Sequence, residues 1–292
     1  MRWKKARRSD NVVDKRGKGG AVGGKGLSLA AVAVIVIVGL LSGQDPMQIV
    51  GNIAGQAIQQ GGINTGGSSG NTQSVPSNDP QSEFVRAILG DTEDTWRALF
   101  QQTGKNYKDP TLVLFSGSVR SACGFADSAV GPFYCPADQH VYLDLAFFKE
   151  MEQRFAATGE FAQAYVIAHE VGHHVQTLLG ISARVQTARQ RGERMSGPNG
   201  LLVRQELQAD CFAGVWAHHA QQRHAWLEPG DLKDALNAAQ AIGDDRLQKQ
   251  AQGYVVPDSF THGTSAQRER WFSQGYKTGN VSQCDTFAAQ RL

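Results

Sequence analysis

The stretch Ala164-Tyr165-Val166-Ile167-Ala168-His169-Glu170-Val171-Gly172-His173-His174 constrains this chain more than any other part of it. It sets His-Glu-x-x-His inside an apolar, alanine-rich run. Phe161, Tyr165, Ala168, Val175 and Leu179 recur at a helical period and give the segment one buried side. Residues four apart share a helix face, so His169 and His173 present two imidazoles to one metal ion. Glu170 falls beside the first imidazole, next to the metal but not on it. A general base that takes a proton from metal-bound water must stand there. Gly172 leaves room for another element to approach closely, and Gly180 is a stop signal. His174 is one step off the ligand face and is expected to be structural or exposed.

A zinc site that does chemistry keeps three protein ligands and one open position. The continuation HExxHxxGxxH would need Gly and His where Gln176 and Leu179 stand, which excludes the metzincin pattern. The best third ligand lies downstream in Arg204-Gln205-Glu206-Leu207-Gln208-Ala209-Asp210-Cys211. Glu206 and Asp210 are again four apart on a helical segment. Glu206 is placed to bind the ion while Asp210 orients a ligand histidine from behind. Ala209, Ala213, Gly214 and Ala217 suit a helix pressed tightly against the first.

The block His169 to Gln176, followed by Gln205-Glu206-Leu207-Gln208-Ala209-Asp210-Cys211-Phe212-Ala213-Gly214, resembles the bacterial membrane-anchored neutral zinc metallopeptidases. More distantly it resembles the gluzincins, with their HExxH followed by ExxxD. The resemblance runs from about Ser82 to the C-terminus. It includes Cys123-Gly124, Gly131-Pro132-Phe133-Tyr134-Cys135-Pro136 and His262-Gly263-Thr264-Ser265-Ala266-Gln267-Arg268. It implies one Zn²⁺ per chain and a zincin-like fold more firmly than it implies a substrate. By the same resemblance Val141 to Leu143 is a candidate cleft-edge strand that pairs with extended peptide. His262 resembles a late gluzincin histidine that stabilises an oxyanion, or it is a loop histidine ahead of a capped helix. Arg268 would brace the site.

Charge is distributed unevenly. Residues 1 to 25 carry nine Lys/Arg against two Asp/Glu, although the whole chain has a net charge of only +2. A basic head of this kind could contact nucleic acid, but residues 26–44 follow it with no charge, centred on Ala30 to Leu41. That length spans a bilayer as a helix, and positive charge ahead of it holds the N-terminus in the cytoplasm. The expectation is therefore a single-pass protein of the bacterial inner membrane, with its metal domain in the periplasm and no nucleic-acid partner. A cleaved signal peptide, releasing a soluble protease, is the rival. Residues 45–80 are rich in Gly, Ser, Asn and Gln and read as a flexible linker.

The remaining residues, 81–292, read as one α+β metallopeptidase domain with strands early and helices late. Phe84, Ile88, Trp96 and Leu99 suggest helical turns interrupted near Gly90-Asp91, and Thr111 to Phe115 is a strand. His218, His219 and His224 read as a solvated helix face. Export makes disulfides available to Cys123, Cys135, Cys211 and Cys284. Three pairings exist, with 123–135 and 211–284 preferred. The expected activity is peptide-bond hydrolysis with protein or peptide as substrate. A catalytically silent, zinc-stabilised interaction protein is the alternative, and Glu170 favours the enzyme. Substrate preference and oligomeric state stay open.

Overall fold

The computed structural model describes residues 1–16, 79–155 and 159–292. Its main sheet is built on two apolar runs, Thr111–Phe115 and His140–Asp144, each with four consecutive buried residues. Strands covered on both faces read this way. In chain order the strands are β1 (Val12–Asp14), β2 (Thr111–Phe115), β3 (Ser118–Ser121), β4 (Gly124–Asp127), β5 (Phe133–Cys135) and β6 (His140–Asp144). The sheet order is β1-β2-β6-β5, with β1, β2 and β6 parallel and β5 antiparallel to β6. β3 and β4 form a separate hairpin. The helices are α1 (Pro80–Gln102), α2 (Ala146–Phe155), α3 (Glu160–Leu178), α4 (Ile181–Gln190), α5 (Leu201–His224), α6 (Asp231–Ala241), α7 (Asp244–Gln252) and α8 (Ser265–Thr278). This is the expected α+β arrangement.

The position of β6 corrects one expectation. Val141 to Leu143 is not a cleft edge, because β6 is hydrogen-bonded to β2 on one side and β5 on the other. The outer strand of the sheet on that side is β5.

The N-terminal residues bring a second correction. They do not form a separate basic head; residues 1–16 belong to the same folded unit as 79–292. Val12, Val13 and Asp14 pair with Leu112, Val113 and Leu114. Trp3 is buried and stacks edge-on against Phe84, with ring centroids 5.2 Å apart. The expected break near Gly90-Asp91 is also absent: α1 is continuous, capped by the Asp79 side chain at the Gln81 amide. Gly90 instead makes space. A Cβ there would stand 2.9 Å from the Arg7 carbonyl oxygen, where the N-terminal arm crosses α1.

Glycine also sets the helix packing around the site. A Cβ on Gly172 would lie 3.0 Å from the Ala209 carbonyl, so α3 and α5 cross there as the sequence suggested. Gly214 serves a different contact. A Cβ on it would reach within 2.1 Å of the Phe272 carbonyl, and one on Gly275 within 2.0 Å of the Cys211 carbonyl. Thus α5 and α8 touch backbone to backbone, a distance open only to glycine. Both preferred disulfides are present, Cys123–Cys135 and Cys211–Cys284. The second ties the chain after α8 to α5 beside this crossing.

Of the three histidines expected on a solvated face, His218 and His219 are half-buried and bond the Tyr276 and Gly279 carbonyls at 2.7 and 2.9 Å, while His224 is exposed as expected and also reaches Asp91 at 2.9 Å. Among the described residues no helix is long and apolar enough to cross a membrane. The expected span, 26–44, lies outside the described residues, as does the linker apart from Asp79 and Pro80.

Candidate metal centre

The site is made where α3 and α5 cross. His169 and His173 lie one turn apart on α3 and face Glu206, in the second turn of α5. His169 Nε2 is 3.1 Å from Glu206 Oε2, and His173 Nε2 is 3.4 Å from Glu206 Oε1. One donor atom from each of the three lies within 4.8 Å of the others. Two imidazole nitrogens and one carboxylate oxygen converging on one point are a donor set that suits zinc. The donor set therefore fits the expected ion.

The far side of each histidine is held. Asp210, fully buried one turn beyond Glu206, accepts from His169 Nδ1 at 2.8 Å and from the Tyr165 hydroxyl at 2.5 Å. Arg268 of α8, itself buried, grips the same carboxylate with Nε and Nη2, both at 2.9 Å. Asp210 and Arg268 thus stand together behind His169. His173 Nδ1 is 2.9 Å from Gln176 Oε1. Both imidazoles consequently turn Nε2 toward Glu206, and second partners of this kind orient metal-ligating histidines.

The electrostatics follow from burial and these neighbours. Burial alone would lower the His169 imidazole, but the Asp210 carboxylate, with Glu206, more than offsets this and lifts it to about 10. Burial likewise opposes ionisation of Glu206, yet His173, His262 and His169 together hold its carboxyl well below the usual range. Burial pushes the Glu170 carboxyl up, against the pull of His169 and His173. Among the described residues the Glu170 carboxylate takes no hydrogen bond, which leaves it available to a water molecule beside the donor cluster.

His262 lies in the loop before α8, its side chain half exposed and its Nδ1 3.3 Å from Asp244 Oδ1. Asp244 shapes that loop by accepting from the backbone amides of Thr261, His262 and Gly263 at 2.7, 2.6 and 3.0 Å. The Glu206 carboxylate is close enough to raise the His262 imidazole, in company with Asp244 and against desolvation. His174 is structural: fully buried, it is held by the Lys108 carbonyl at 2.6 Å and the Tyr134 hydroxyl at 3.1 Å. Three supporting residues went unrecognised in the sequence: Tyr165, Gln176 and Asp244. The first two carried a signal, because each lies four or three residues from a ligand histidine on its own helix.

Two helices that bring two histidines and a glutamate to one point, with an uncommitted carboxylate beside them, make a metal centre of the metallopeptidase type. The chain belongs to the family described as "Putative neutral zinc metallopeptidase", which it matches over residues 1–287. It is 50% identical over 293 residues to the uncharacterized protein YpfJ of Escherichia coli K12, covering 98% of this chain and 99% of that one. It is also 45% identical over 221 residues to the uncharacterized protein Rv2575 of Mycobacterium tuberculosis H37Rv, covering 72% of this chain and 73% of that one. No solved structure matches.

Proposed function

We propose that the protein hydrolyses peptide bonds with one zinc ion held by His169, His173 and Glu206, in the manner of a gluzincin. The observation that carries the reading is the convergence of these three donors within 4.8 Å, with the buried Glu170 beside them. When bound, zinc supplies Lewis-acid polarisation of the scissile carbonyl and acidifies water at the open position. Glu170 accepts the proton of the attacking water and passes it to the leaving amine. Burial, by raising the Glu170 carboxyl, brings its proton affinity nearer to that task. His262 faces the same cluster from the α8 side and donates a hydrogen bond to the developing oxyanion. Asp210 and Arg268 hold His169 in place. The substrate is an extended peptide that pairs with the outer edge of β5, the strand whose Tyr134 contacts α3 through His174. The domain works on the exported side of the bacterial plasma membrane, which the two disulfides support.

The test uses the full chain, because residues 1–16 are part of the fold. Zinc content and hydrolysis of quenched peptides are measured for the wild type, Glu170→Gln and Glu206→Ala. The expected result is one zinc per chain, lost in Glu206→Ala. In Glu170→Gln the zinc is kept and hydrolysis falls by about 10²–10⁴-fold, the usual contribution of a general base. Undiminished hydrolysis in a zinc-replete Glu170→Gln variant would overturn the mechanism. Stoichiometric zinc with no hydrolysis of any peptide would make the protein a silent zinc-stabilised module.

A further inference from the structure

Residues 1–16 carry seven Lys/Arg against two Asp/Glu. Ahead of an apolar stretch, such a cluster ordinarily keeps an N-terminus in the cytoplasm. In this fold much of that charge is matched by carboxylates on and just ahead of α1. Arg7 pairs with Glu93 at 2.7 Å and Asp94 at 2.9 Å, and Arg8 pairs with Glu83 at 2.8 Å. The Glu93 side chain has no exposure, and Ser9 and Asn11 complete its shell at 2.5 and 2.8 Å. Without the arm this buried carboxylate would lose three donors, which is the costly way to break a buried charge cluster. The β1–β2 ladder and the buried Trp3 ring fasten the same segment by other means.

The far end of the arm is equally informative. Arg16 pairs with Asp79 at 2.6 Å and donates to the Ser82 hydroxyl at 2.7 Å. These contacts join the residues on either side of segment 17–78. Whichever side of a bilayer holds Asp79 also holds Arg16.

We infer that the N-terminal arm and the metal domain lie on the same side of any bilayer the protein meets and share one compartment. A single crossing at 26–44 would put β1 and β2 on opposite faces of the membrane and tear the sheet. Cleavage after residue 44 would remove β1 and the partners of Glu93. The disulfides place the domain in an oxidising compartment, and the arm is exported with it. Nothing in this depends on the reading of the metal centre.

Cysteine labelling of the full chain in bacterial spheroplasts tests it. Lys5 on the arm and Lys105 after α1 are exposed and make no ion pair among the described residues. Lys5→Cys and Lys105→Cys variants are treated with a membrane-impermeant maleimide before and after permeabilisation. A cytoplasmic thiol protein reports leakage. Both sites are expected to label fully before permeabilisation. Labelling of Lys105→Cys before, and of Lys5→Cys only after, would overturn the inference and restore a single crossing. Labelling of both only after permeabilisation would keep the shared compartment and overturn the export. Should either variant fail to accumulate, Lys4→Cys and Lys249→Cys form the second pair. Peptide hydrolysis measured on the same variants keeps failure of the metal-site reading separate from failure of this one.

Discussion

His173 Nδ1 lies 2.9 Å from Gln176 Oε1, and the orientation of that amide is set by what its other end touches. Gln176 Nε2 donates to the Gln205 carbonyl at 2.7 Å and to Gln208 Oε1 at 3.1 Å. Gln208 Nε2 in turn donates to the Cys284 carbonyl at 3.0 Å. A run of amides therefore leads from the Cys211–Cys284 disulfide to His173. It leaves Gln176 only its oxygen to offer, which fixes the His173 proton on Nδ1 and the lone pair on Nε2.

Gln176→Leu removes that acceptor while nearly preserving volume. Zinc affinity is expected to fall about 10–100-fold, the usual cost of losing a partner behind a ligand histidine. Hydrolysis at saturating zinc should stay near the wild-type rate. Gln208→Leu should cost less, since the Gln205 carbonyl still orients the amide. Competition against a chromophoric chelator measures both, and an unaltered affinity in Gln176→Leu would remove this residue from the site.

Asp210 is the more exacting position. Its carboxylate is fully buried and shared by Tyr165, His169 and Arg268. Asp210→Asn leaves the Arg268 guanidinium buried without its counter-charge and turns an amide donor against other donors. Breaking a buried pair from one side costs about 3–5 kcal/mol. For a chain of this size, each kcal/mol lowers the melting temperature by about 2–4 °C. Glu170→Gln, which breaks no such pair, should melt as the wild type does. Calorimetry on the two variants side by side separates the roles, and equal melting temperatures would show that Asp210 is not the structural centre of the cluster.

How much of this was legible beforehand depends on whether the signal was local. His169, Glu170, His173, Glu206 and Asp210 are spaced four apart or adjacent within single helices, and helical geometry turns that spacing into a site. The third element, α8, entered only through resemblance at His262 and Arg268, and the structure is what brings Arg268 onto Asp210. The cleft edge was misplaced because strand order is a long-range property: Val141 to Leu143 looks the same as an edge or a centre strand. The same limit hid the arm. Arg7, Arg8 and Arg16 read as a free basic cluster because Glu93, Asp94, Glu83 and Asp79, which pair with them, lie more than sixty residues away. Gly90 read as a break because a glycine that admits a crossing chain cannot be told locally from one that ends a helix.

The α5–α8 crossing predicts a sharp response to a single methyl group. A Cβ at Gly275 would stand 2.0 Å from the Cys211 carbonyl and 2.8 Å from the Val215 amide nitrogen, both rigid helical backbone. Gly275→Ala must push α8 away from α5 and with it move Arg268 off Asp210. Overpacking of this kind costs about 1–3 kcal/mol or more. Gly180→Ala is the comparison, because nothing lies within 4 Å of its added Cβ and only the positive φ of 75° is strained. That substitution should cost about 1–2 kcal/mol and leave zinc affinity intact, whereas Gly275→Ala should weaken both stability and zinc binding. Wild-type zinc affinity in Gly275→Ala would mean that the crossing does not position the site.

Acid should loosen the N-terminal arm before it unfolds the rest. Burial opposes ionisation of Asp14, but the Arg16 side chain and backbone amide outweigh it and hold the carboxyl below its usual 3.8. Burial also pushes Asp79 up, and the Ser82 hydroxyl with Arg16 again overrides it and lowers that carboxyl. Groups lowered on folding stabilise the fold fully above their unfolded values and lose that contribution as pH falls through the lower folded values. Docking of residues 11–16 should therefore be constant above about pH 5 and weaken progressively below the ordinary carboxylate range near 4. Hydrogen exchange at the Lys15 amide, which donates to the Leu114 carbonyl at 2.8 Å, reads this opening directly. In Arg16→Ala the guanidinium's share of the shifts is lost while the residue-16 backbone amide and the Ser82 hydroxyl remain, so the arm should be looser at pH 7 and less sensitive to pH between 5 and 3 than in the wild type. A wild-type arm whose protection, corrected for intrinsic exchange, does not change over that range would show that Arg16 is not what holds it to Asp79.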